Sequence, residues 1–468
     1  VRRKAEEEPQ EQTGLIMASS LMKSVSGIRG IVGESVTPAL INAVGSAFAA
    51  YCNYGTVVIG RDTRPTGLAI ERGLESSLVL SGCDVLNIGI VPTPTVQVMV
   101  EHCKADGGIV ISASHNPIEW NAFKLIGKKG TFLTSSEIEK FFRIMEKDFS
   151  YPGWDGIGSL SQKSGSDEIH IKKVCSVINT ASVRDRKFRV ALDSVNGAGS
   201  AITQKLLHEL GCEVIPVHCE MNGMFPRGPE PLAKNLSILS TTVQRQKADI
   251  GFAQDPDADR LAIIDENGKP IGEEYTIALV AEHLLSRQAG RVVINLSTTK
   301  AVDDIARKHG APVARTRVGE INVVEEMMRH GARIGGEGNG GVISPDIHLG
   351  RDSLAGIVYV LEMMAERQKS VSGLVSDLPV YVMVKGSVSL AGKEIDRELL
   401  PRIQKEFSGQ KVSTIDGLRI EFIEHPEFAG GWVHLRPSNT EPIFRIIAEG
   451  KDDAQAKAIF DTFSRMVK

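Results

Sequence analysis

Gly107-Gly-Ile-Val-Ile-Ser-Ala-Ser-His-Asn-Pro117, with Asn121-Ala-Phe-Lys124 close behind, is the stretch from which the rest of the chain can be read. The apolar run Ile109 to Ile111 reads as a buried strand, and Asn116-Pro117 marks a tight turn after it. Ser114 is thereby held at the end of a strand, with His115 beside it and Lys124 a few residues on. A serine fixed near positive charge is a candidate nucleophile or phosphate carrier. Serine and asparagine also cap ordinary turns, so support has to come from elsewhere in the chain.

Upstream, Lys23 to Gly33 is a glycine-rich opening in which Arg29 sits between Gly27 and Gly30. A glycine-flanked arginine can approach a phosphate closely. Helical periodicity over Thr37–Tyr51 precedes a buried strand at Thr56–Gly60. A helix over Gly67–Ser81, a strand over Asp84–Gly89 and a helix over Val96–Cys103 then lead into the Ser114 strand. Strands alternating with helices predict a parallel, doubly wound sheet. Downstream, a helix over Ser135–Lys147 gives way to a patternless Gly/Ser-rich segment, Ser150 to Ser166. A connecting helix over Asp167–Thr180 follows.

Three further polar stretches stand at the ends of strands. Ala248 to Gln254 delivers Asp255-Pro-Asp-Ala-Asp-Arg260. Alternate residues of an extended segment point the same way, so Asp255, Asp257 and Asp259 can converge. Three such carboxylates repel unless a cation lies between them, and hard oxygen ligands favour Mg²⁺. A calcium EF-hand fits poorly: Glu266 falls at the twelfth loop position, but Arg260 stands where glycine is required, and strands flank the loop. The glycine-rich loop Ser194 to Ser200 lacks a basic residue and reads as structural.

Gly335-Gly-Glu-Gly-Asn-Gly-Gly341 leaves Glu337 and Asn339 free to reach a ligand, and a carboxylate with an amide suits sugar hydroxyls. His348, Arg351 and Asp352 follow as possible supporting groups. The pattern changes after Leu378, where strands with segregated helices predict an α+β domain. Its polar stretch is Arg436-Pro-Ser-Asn-Thr-Glu-Pro442, with Arg445 beyond. Two arginines with Ser438, Asn439 and Thr440 make an anion cradle.

Composition excludes several classes. A net charge of −4 argues against a nucleic-acid binder. The six cysteines are scattered without a Cys-x-x-Cys, which fits a reducing cytoplasm. No apolar run approaches the roughly 20 residues a membrane span needs. Residues 1–21 read as a disordered tail, and Met17 or Met22 is a candidate start.

Together, the Ser-His-Asn-Pro turn, the Asp-x-Asp-x-Asp-Arg loop, the Gly-Glu-x-x-Gly loop and Arg-x-Ser-Asn-Thr-x-Pro resemble the α-D-phosphohexomutase superfamily. That superfamily includes phosphoglucomutase, phosphomannomutase and phosphoglucosamine mutase. The resemblance runs from about Ser24 to the end of the chain. It implies three related α/β domains with mixed sheets plus a C-terminal α+β domain around a central cleft. The expected divisions are 22–160, 161–270, 271–375 and 376–468. It implies that Ser114 is phosphorylated and passes its phosphoryl group to a hexose phosphate. The bisphosphorylated sugar then turns round and returns its other phosphoryl group.

The resemblance also implies one Mg²⁺ on Asp255, Asp257 and Asp259 with Ser114 as a further ligand, and a hexose bisphosphate activator. Arg260 and Arg29 would add positive charge, and His115 and Lys124 are both candidates for proton transfer or phosphate contact. Glu337 and Asn339 would hold the sugar. Arg436, Ser438, Asn439, Thr440 and Arg445 would hold the remote phosphate. Two departures bear on the sugar: Asn339 replaces a frequent serine, and Gly341 stands where many members carry a histidine, a loss His348 could offset. Phosphoglucomutase/phosphomannomutase activity is the first expectation and phosphoglucosamine mutase the alternative. A phosphoserine-dependent phosphatase and a non-catalytic sugar-phosphate binder are further alternatives. The expected partners are small sugar phosphates, with no nucleic acid or membrane, and the chain is expected as a monomer or homodimer.

Overall fold

A computed structural model describes residues 21–389, 396, 398–437 and 443–467. The expected tail, apart from Leu21, lies outside the described residues. So do Ser438, Asn439 and Thr440.

Four sheets follow one another along the chain. The first contains β1 (Met22–Ser24), β2 (Gly27–Ile31), β3 (Thr56–Arg61), β4 (Asp84–Ile90), β5 (Gly107–Ile111), β6 (Trp120–Gly127) and β7 (Leu160–Gln162), in the order β1-β2-β6-β5-β3-β4-β7. β3 is parallel to β4 and β5, whereas β6 returns antiparallel beside β5 and pairs with β2. The sheet is therefore mixed, not the parallel sheet that the strand–helix alternation predicts. The Ser114 turn joins β5 to β6 in a few residues, and a parallel crossover needs a dozen or more. The glycine-rich opening is a strand as well as a turn, placing Arg29 opposite Ala122.

The second sheet, β8 (Arg189–Asp193), β9 (Glu213–Val217), β10 (Ile250–Gln254) and β11 (Leu261–Ile264), runs β11-β10-β8-β9. The third, β12 (Val292–Asn295), β13 (Val313–Thr316), β14 (Ile334–Glu337) and β15 (Gly341–Ile343), runs β15-β14-β12-β13 read from its antiparallel edge. Both repeat the first sheet's β6-β5-β3-β4 core. In all three, a central parallel strand turns back through a short connection into an antiparallel neighbour. Those three connections carry Ser114, the aspartates and Asn339. Each leaves the carboxyl end of a parallel strand, where open α/β sheets present ligands.

Two helices, Ser166–Cys175 and Thr180–Arg186, replace the single connecting helix predicted over Asp167–Thr180. Asn179 ends the run, its side chain accepting from Ser182 N at 3.3 Å to cap the second helix. His170 of the first helix then reaches across two units. Its Nε2 lies 2.9 Å from Asp352 Oδ2, and its Nδ1 lies 2.9 Å from Thr95 Oγ1. His348, also against Asp352 Oδ2 at 3.3 Å, completes this buried junction.

The fourth sheet is fully antiparallel, in the order β16 (Val382–Ser389), β20 (Ile443–Gly450), β19 (Trp432–Pro437), β18 (Leu418–Glu421) and β17 (Lys411–Ser413). It has its own core, around Phe422, Phe444 and Phe463. By contrast, one apolar cluster runs continuously from Ile171 through Val292 to Leu378, joining the second and third units. Another packs Val58 and Val96 against Val293 and Ile321, joining the first and third. The last unit meets the others largely through polar contacts, such as Ser297 with His434 and Lys385 with Glu274. An interface of that kind leaves a unit free to move relative to its neighbours.

Candidate active site

Ser114 is buried and its backbone has φ +49°, a conformation that costs a non-glycine residue roughly 1–3 kcal/mol. Its Oγ donates to Asp255 Oδ2 at 2.8 Å and lies 3.4 Å from His115 Nδ1. The turn after β5 thus meets the turn after β10 directly.

The aspartate loop is held by its own backbone: Asp255 Oδ1 accepts from Asp259 N at 3.1 Å and Arg260 N at 3.2 Å. Ala258 at φ +53° makes the bend that brings the three carboxylates round. One oxygen from each lies within 4.8 Å of the others, and all three residues are fully buried, so the set could hold a metal ion. Asp257 Oδ1 and Asp259 Oδ1 have no hydrogen-bond partner. Buried carboxylate oxygens left bare in this way suit a hard cation such as Mg²⁺.

Cations already crowd this loop. Lys124 Nζ lies 2.5 Å from Asp257 Oδ2 and 3.5 Å from Asp259 Oδ2, and Thr93 also donates to Asp257. Arg351 Nη2 reaches Asp259 Oδ2 at 2.6 Å. Burial pushes Asp255 well above the usual carboxylate range, reinforced by Asp259 and Asp257. Burial also raises Asp259, but Arg351, Lys124 and Arg260 outweigh it and hold that carboxylate low. Burial lowers Lys124, while Asp257 and Asp259 more than offset it, so the ammonium stays charged. Arg260, then burial, then Arg29 push His115 well below its ordinary value, leaving the imidazole neutral. Of the two candidates for proton transfer, His115 is the one with a free lone pair here.

Arg260 and Arg29 are anchored beside the serine. Arg260 Nη1 donates to Glu230 Oε1 at 2.6 Å, and Arg29 Nη1 to Asn116 Oδ1 at 3.2 Å. Glu337 accepts from Asn295 Nδ2 at 2.8 Å, Gly319 N at 2.9 Å and Arg351 Nη1 at 2.7 Å. A Cβ at Gly341 would stand 2.3 Å from Arg351 Cδ. Arg351 therefore fills the space where the resemblance leads one to look for a histidine. His348 lies in the buried junction with His170 and Asp352.

Ser114, His115, Lys124, Arg29, Arg260, Glu337 and Asn339 line one cavity of about 180 Å³. His115, Arg260 and Asn339 are shared with an adjoining cavity of about 300 Å³, whose far side carries Arg436 and Arg445. Those arginines face each other across β19 and β20, and Asp416 Oδ1 accepts from Arg436 Nε at 2.9 Å. The structure thus brings the described candidate residues to the walls of two joined cavities, except Asp255, Asp257 and Asp259, immediately behind Ser114 and Lys124, and His348 and Asp352, in the buried junction with His170. A larger cavity, about 590 Å³, lies beyond Asn339, but four glutamates and a single lysine line it, a poor match for an anion.

Three participants carried no signal that marked them in the sequence. Glu320, at the start of a helix, lies 3.1 Å from Arg351 Nε and lines the smaller cavity; burial pushes its carboxyl up to about 7, despite Arg351. Glu230 anchors Arg260. Lys385 reaches Glu274 at 2.8 Å and the Gly338 carbonyl at 3.2 Å, tying the last unit to the Asn339 loop.

Comparison with known proteins gives a consistent picture. Sequence models described as phosphoglucomutase/phosphomannomutase alpha/beta/alpha domains I, II and III match residues 21–152, 168–268 and 272–381, and that of the C-terminal domain matches 388–466. A "Phosphoglucomutase/phosphomannomutase" of Thermococcus kodakarensis is 38% identical over 443 residues, covering 92% of this chain and 95% of the relative. A "Probable phosphoglucosamine mutase" of Pyrococcus abyssi is 38% identical over 449 residues, covering 95% and 97%. The crystal structure of a phosphoglucomutase/phosphomannomutase family protein from Burkholderia thailandensis superposes with a TM-score of 0.82 at 28% identity, covering 96% of this chain and 98% of the other.

Proposed function

Because the chain belongs to the phosphoglucomutase/phosphomannomutase family and is a phosphohexomutase, we propose that Ser114 is the residue that carries its phosphoryl group. The observation that carries this reading is the position of Ser114 Oγ, 2.8 Å from Asp255 and on the wall of the cleft. In the forward step the bond from Ser114 Oγ to phosphorus breaks and one from phosphorus to a sugar hydroxyl oxygen forms. The hydroxyl proton passes to a base in the cleft, and neutral His115 is placed to accept it. Arg29 and Arg260 balance the charge spread over the moving phosphoryl oxygens. Asp255, Asp257 and Asp259, with an oxygen from Ser114, would hold Mg²⁺, which when bound supplies further positive charge at that point.

Arg436 and Arg445, with Ser438, Asn439 and Thr440 of the same stretch, grip the phosphate that is not reacting. Glu337 and Asn339 orient the sugar between the two ends. Reversing the sugar bisphosphate presents its other phosphate to Ser114, and the same bonds exchange in the opposite sense. The net reaction interconverts hexose 1- and 6-phosphates without consuming a donor, and a hexose 1,6-bisphosphate keeps the serine charged. Glucose and mannose phosphates are the first substrates we assign. Glucosamine phosphate is the alternative, favoured by the name of the Pyrococcus abyssi relative. Cytoplasmic action on small soluble sugar phosphates fits this reading, and among the described residues no helix is long and apolar enough to cross a membrane. Parallel assays with glucose, mannose and glucosamine 1-phosphates, each with a hexose bisphosphate and Mg²⁺, test the assignment. Highest kcat/KM on the first two supports it, highest on glucosamine 1-phosphate moves it to the alternative, and release of free phosphate without isomer overturns it.

A further inference from the structure

One buried network outside the cleft grips the backbone of Ser114 from both sides. On the amide side, Ser114 N donates to Ser112 Oγ at 3.0 Å, and Ser112 Oγ donates to Asp62 Oδ2 at 2.6 Å. On the carbonyl side, Arg64 Nη2 donates to Ser114 O and to Asn116 O, both at 2.7 Å, and Arg64 Nη1 donates to Pro117 O at 2.6 Å. The two halves join, because Arg64 Nε donates to Asp62 Oδ2 at 3.1 Å and Arg64 N to Asp62 Oδ1 at 2.9 Å. Asp62 and Arg64 are 0% and 1% exposed, so neither group draws support from bulk water.

The distribution of these bonds is the telling feature. An arginine that only filled the core would need any acceptors at all. Arg64 spends its terminal nitrogens on three carbonyls within one four-residue segment, Ser114 to Pro117. A planar guanidinium can bond several acceptors at fixed angles, which a lysine ammonium cannot reproduce. The segment held is the one whose reactive residue has a left-handed backbone, a conformation that persists only where its surroundings impose it. The segment that carries Arg64 is itself braced from the second α/β unit. The Phe225 ring centroid lies 5.0 Å from Arg64 Cζ, and Thr63 Oγ1 donates to Asn196 O at 2.8 Å.

We propose that Arg64, acting with Asp62 and Ser112, is the positioning residue that fixes Ser114 for phosphoryl transfer. This rests on Ser114 being the phosphoryl carrier. Arg64 acts through the loop backbone without touching the sugar. Its loss therefore degrades the chemical step, where small displacements of a reacting atom cost up to about a hundredfold, and leaves sugar and remote-phosphate contacts intact.

The test compares Arg64→Lys, Ser112→Ala and Ser114→Ala in the full-length enzyme. Melting temperature, kcat, KM for the hexose 1-phosphate, and the rate of phosphate uptake from glucose 1,6-bisphosphate by intact mass are read for each. The expected result is a kcat loss of about a hundredfold for Arg64→Lys and about tenfold for Ser112→Ala. KM should stay within about twofold and phosphate uptake should slow in proportion. If Arg64→Lys does not fold, Ser112→Ala decides alone, since it removes only the hydroxyl that links Ser114 N to Asp62 and leaves the three Arg64 bonds to the turn in place. Folded variants with unchanged kcat and uptake, or with a raised KM at unchanged kcat, overturn the proposal while Ser114→Ala is inactive. A Ser114→Ala enzyme that still turns over instead overturns the assignment of Ser114 itself.

Discussion

Arg351 Nη2 lies 2.6 Å from Asp259 Oδ2, an ion pair across units whose sequence positions are far apart. The same guanidinium holds Glu337 and stands against Glu320, so one side chain ties the aspartate loop to the Glu337 loop. Removing one partner of a buried ion pair leaves an uncompensated charge and costs about 3–5 kcal/mol. Arg351→Gln is therefore expected to lower the melting temperature clearly and to reduce kcat/KM by more than tenfold. Differential scanning calorimetry with steady-state kinetics checks this. An unchanged melting point would show that the three carboxylates do not depend on Arg351.

Lys124 occupies the position of a counter-charge to Asp257 and Asp259. Replacing it with methionine leaves the carboxylates more negative and removes a competitor for any cation there. Lys124→Met is expected to bind Mn²⁺ several-fold more tightly than the wild type by titration calorimetry, and to lose kcat by about a hundredfold or more. Weaker Mn²⁺ binding would mean that Lys124 helps build the ion site instead of balancing it.

Metal should act on stability as well as on turnover. A ligand that binds only the folded state at a hundred times its Kd adds about 2.7 kcal/mol. The melting temperature should rise with millimolar Mg²⁺ in the wild type and stay flat in Asp257→Asn, and chelation should abolish turnover until Mg²⁺ is restored. A wild-type melt indifferent to Mg²⁺ would contradict the assignment of Asp255, Asp257 and Asp259 as ligands.

His434 makes the docking of the last unit sensitive to acid. Its Nδ1 lies 2.9 Å from Ser297 Oγ and its Nε2 2.6 Å from Asp416 O, and burial pushes its pKa down to about 4. The folded protein therefore disfavours the imidazolium. The stability His434 contributes is complete above its unfolded value of about 6.5 and is lost as pH falls towards 4, by at most about 3 kcal/mol. Glu274 works in the opposite sense: burial pushes it up to about 7, against the pull of Lys385, so its neutral form gains as pH falls below that value. Only the difference between proteins isolates the histidine. Between pH 7 and 5 the wild type should lose more stability in urea than His434→Gln. Equal losses would rule out a buried neutral His434.

Much of the site was legible because its chemistry is local in the chain. Ser114 with His115, the three aspartates, and Glu337 with Asn339 each fall at a strand end or in the short connection that follows it, so a short stretch displays a whole group. The mixed sheets were less so. Helix alternation around β3, β4 and β5 signals parallel pairing, but the return of β6 depends only on the brevity of the Ser114 turn. β2 was hidden by the glycines that let its Arg29 approach the cleft. The deepest gap concerns Glu320, Glu230, Lys385 and Arg64, and the reach of Arg351, marked only as a possible supporting group, to Asp259. These partners lie 30 or more positions apart in the chain, and an ion pair or a carbonyl grip between distant segments leaves no periodicity to read. Arg351 also accounts for Gly341, whose significance is steric and invisible without its neighbour.

The most direct test of the account is where phosphate resides on the native enzyme. Enzyme purified without phosphatase, briefly incubated with glucose 1,6-bisphosphate and analysed by intact mass and peptide mapping, should carry about one phosphate, on the peptide containing Ser114, and Ser114→Ala should carry none and lose turnover. Phosphate on another residue, or a Ser114→Ala enzyme that isomerises hexose phosphates at the wild-type rate, would contradict it.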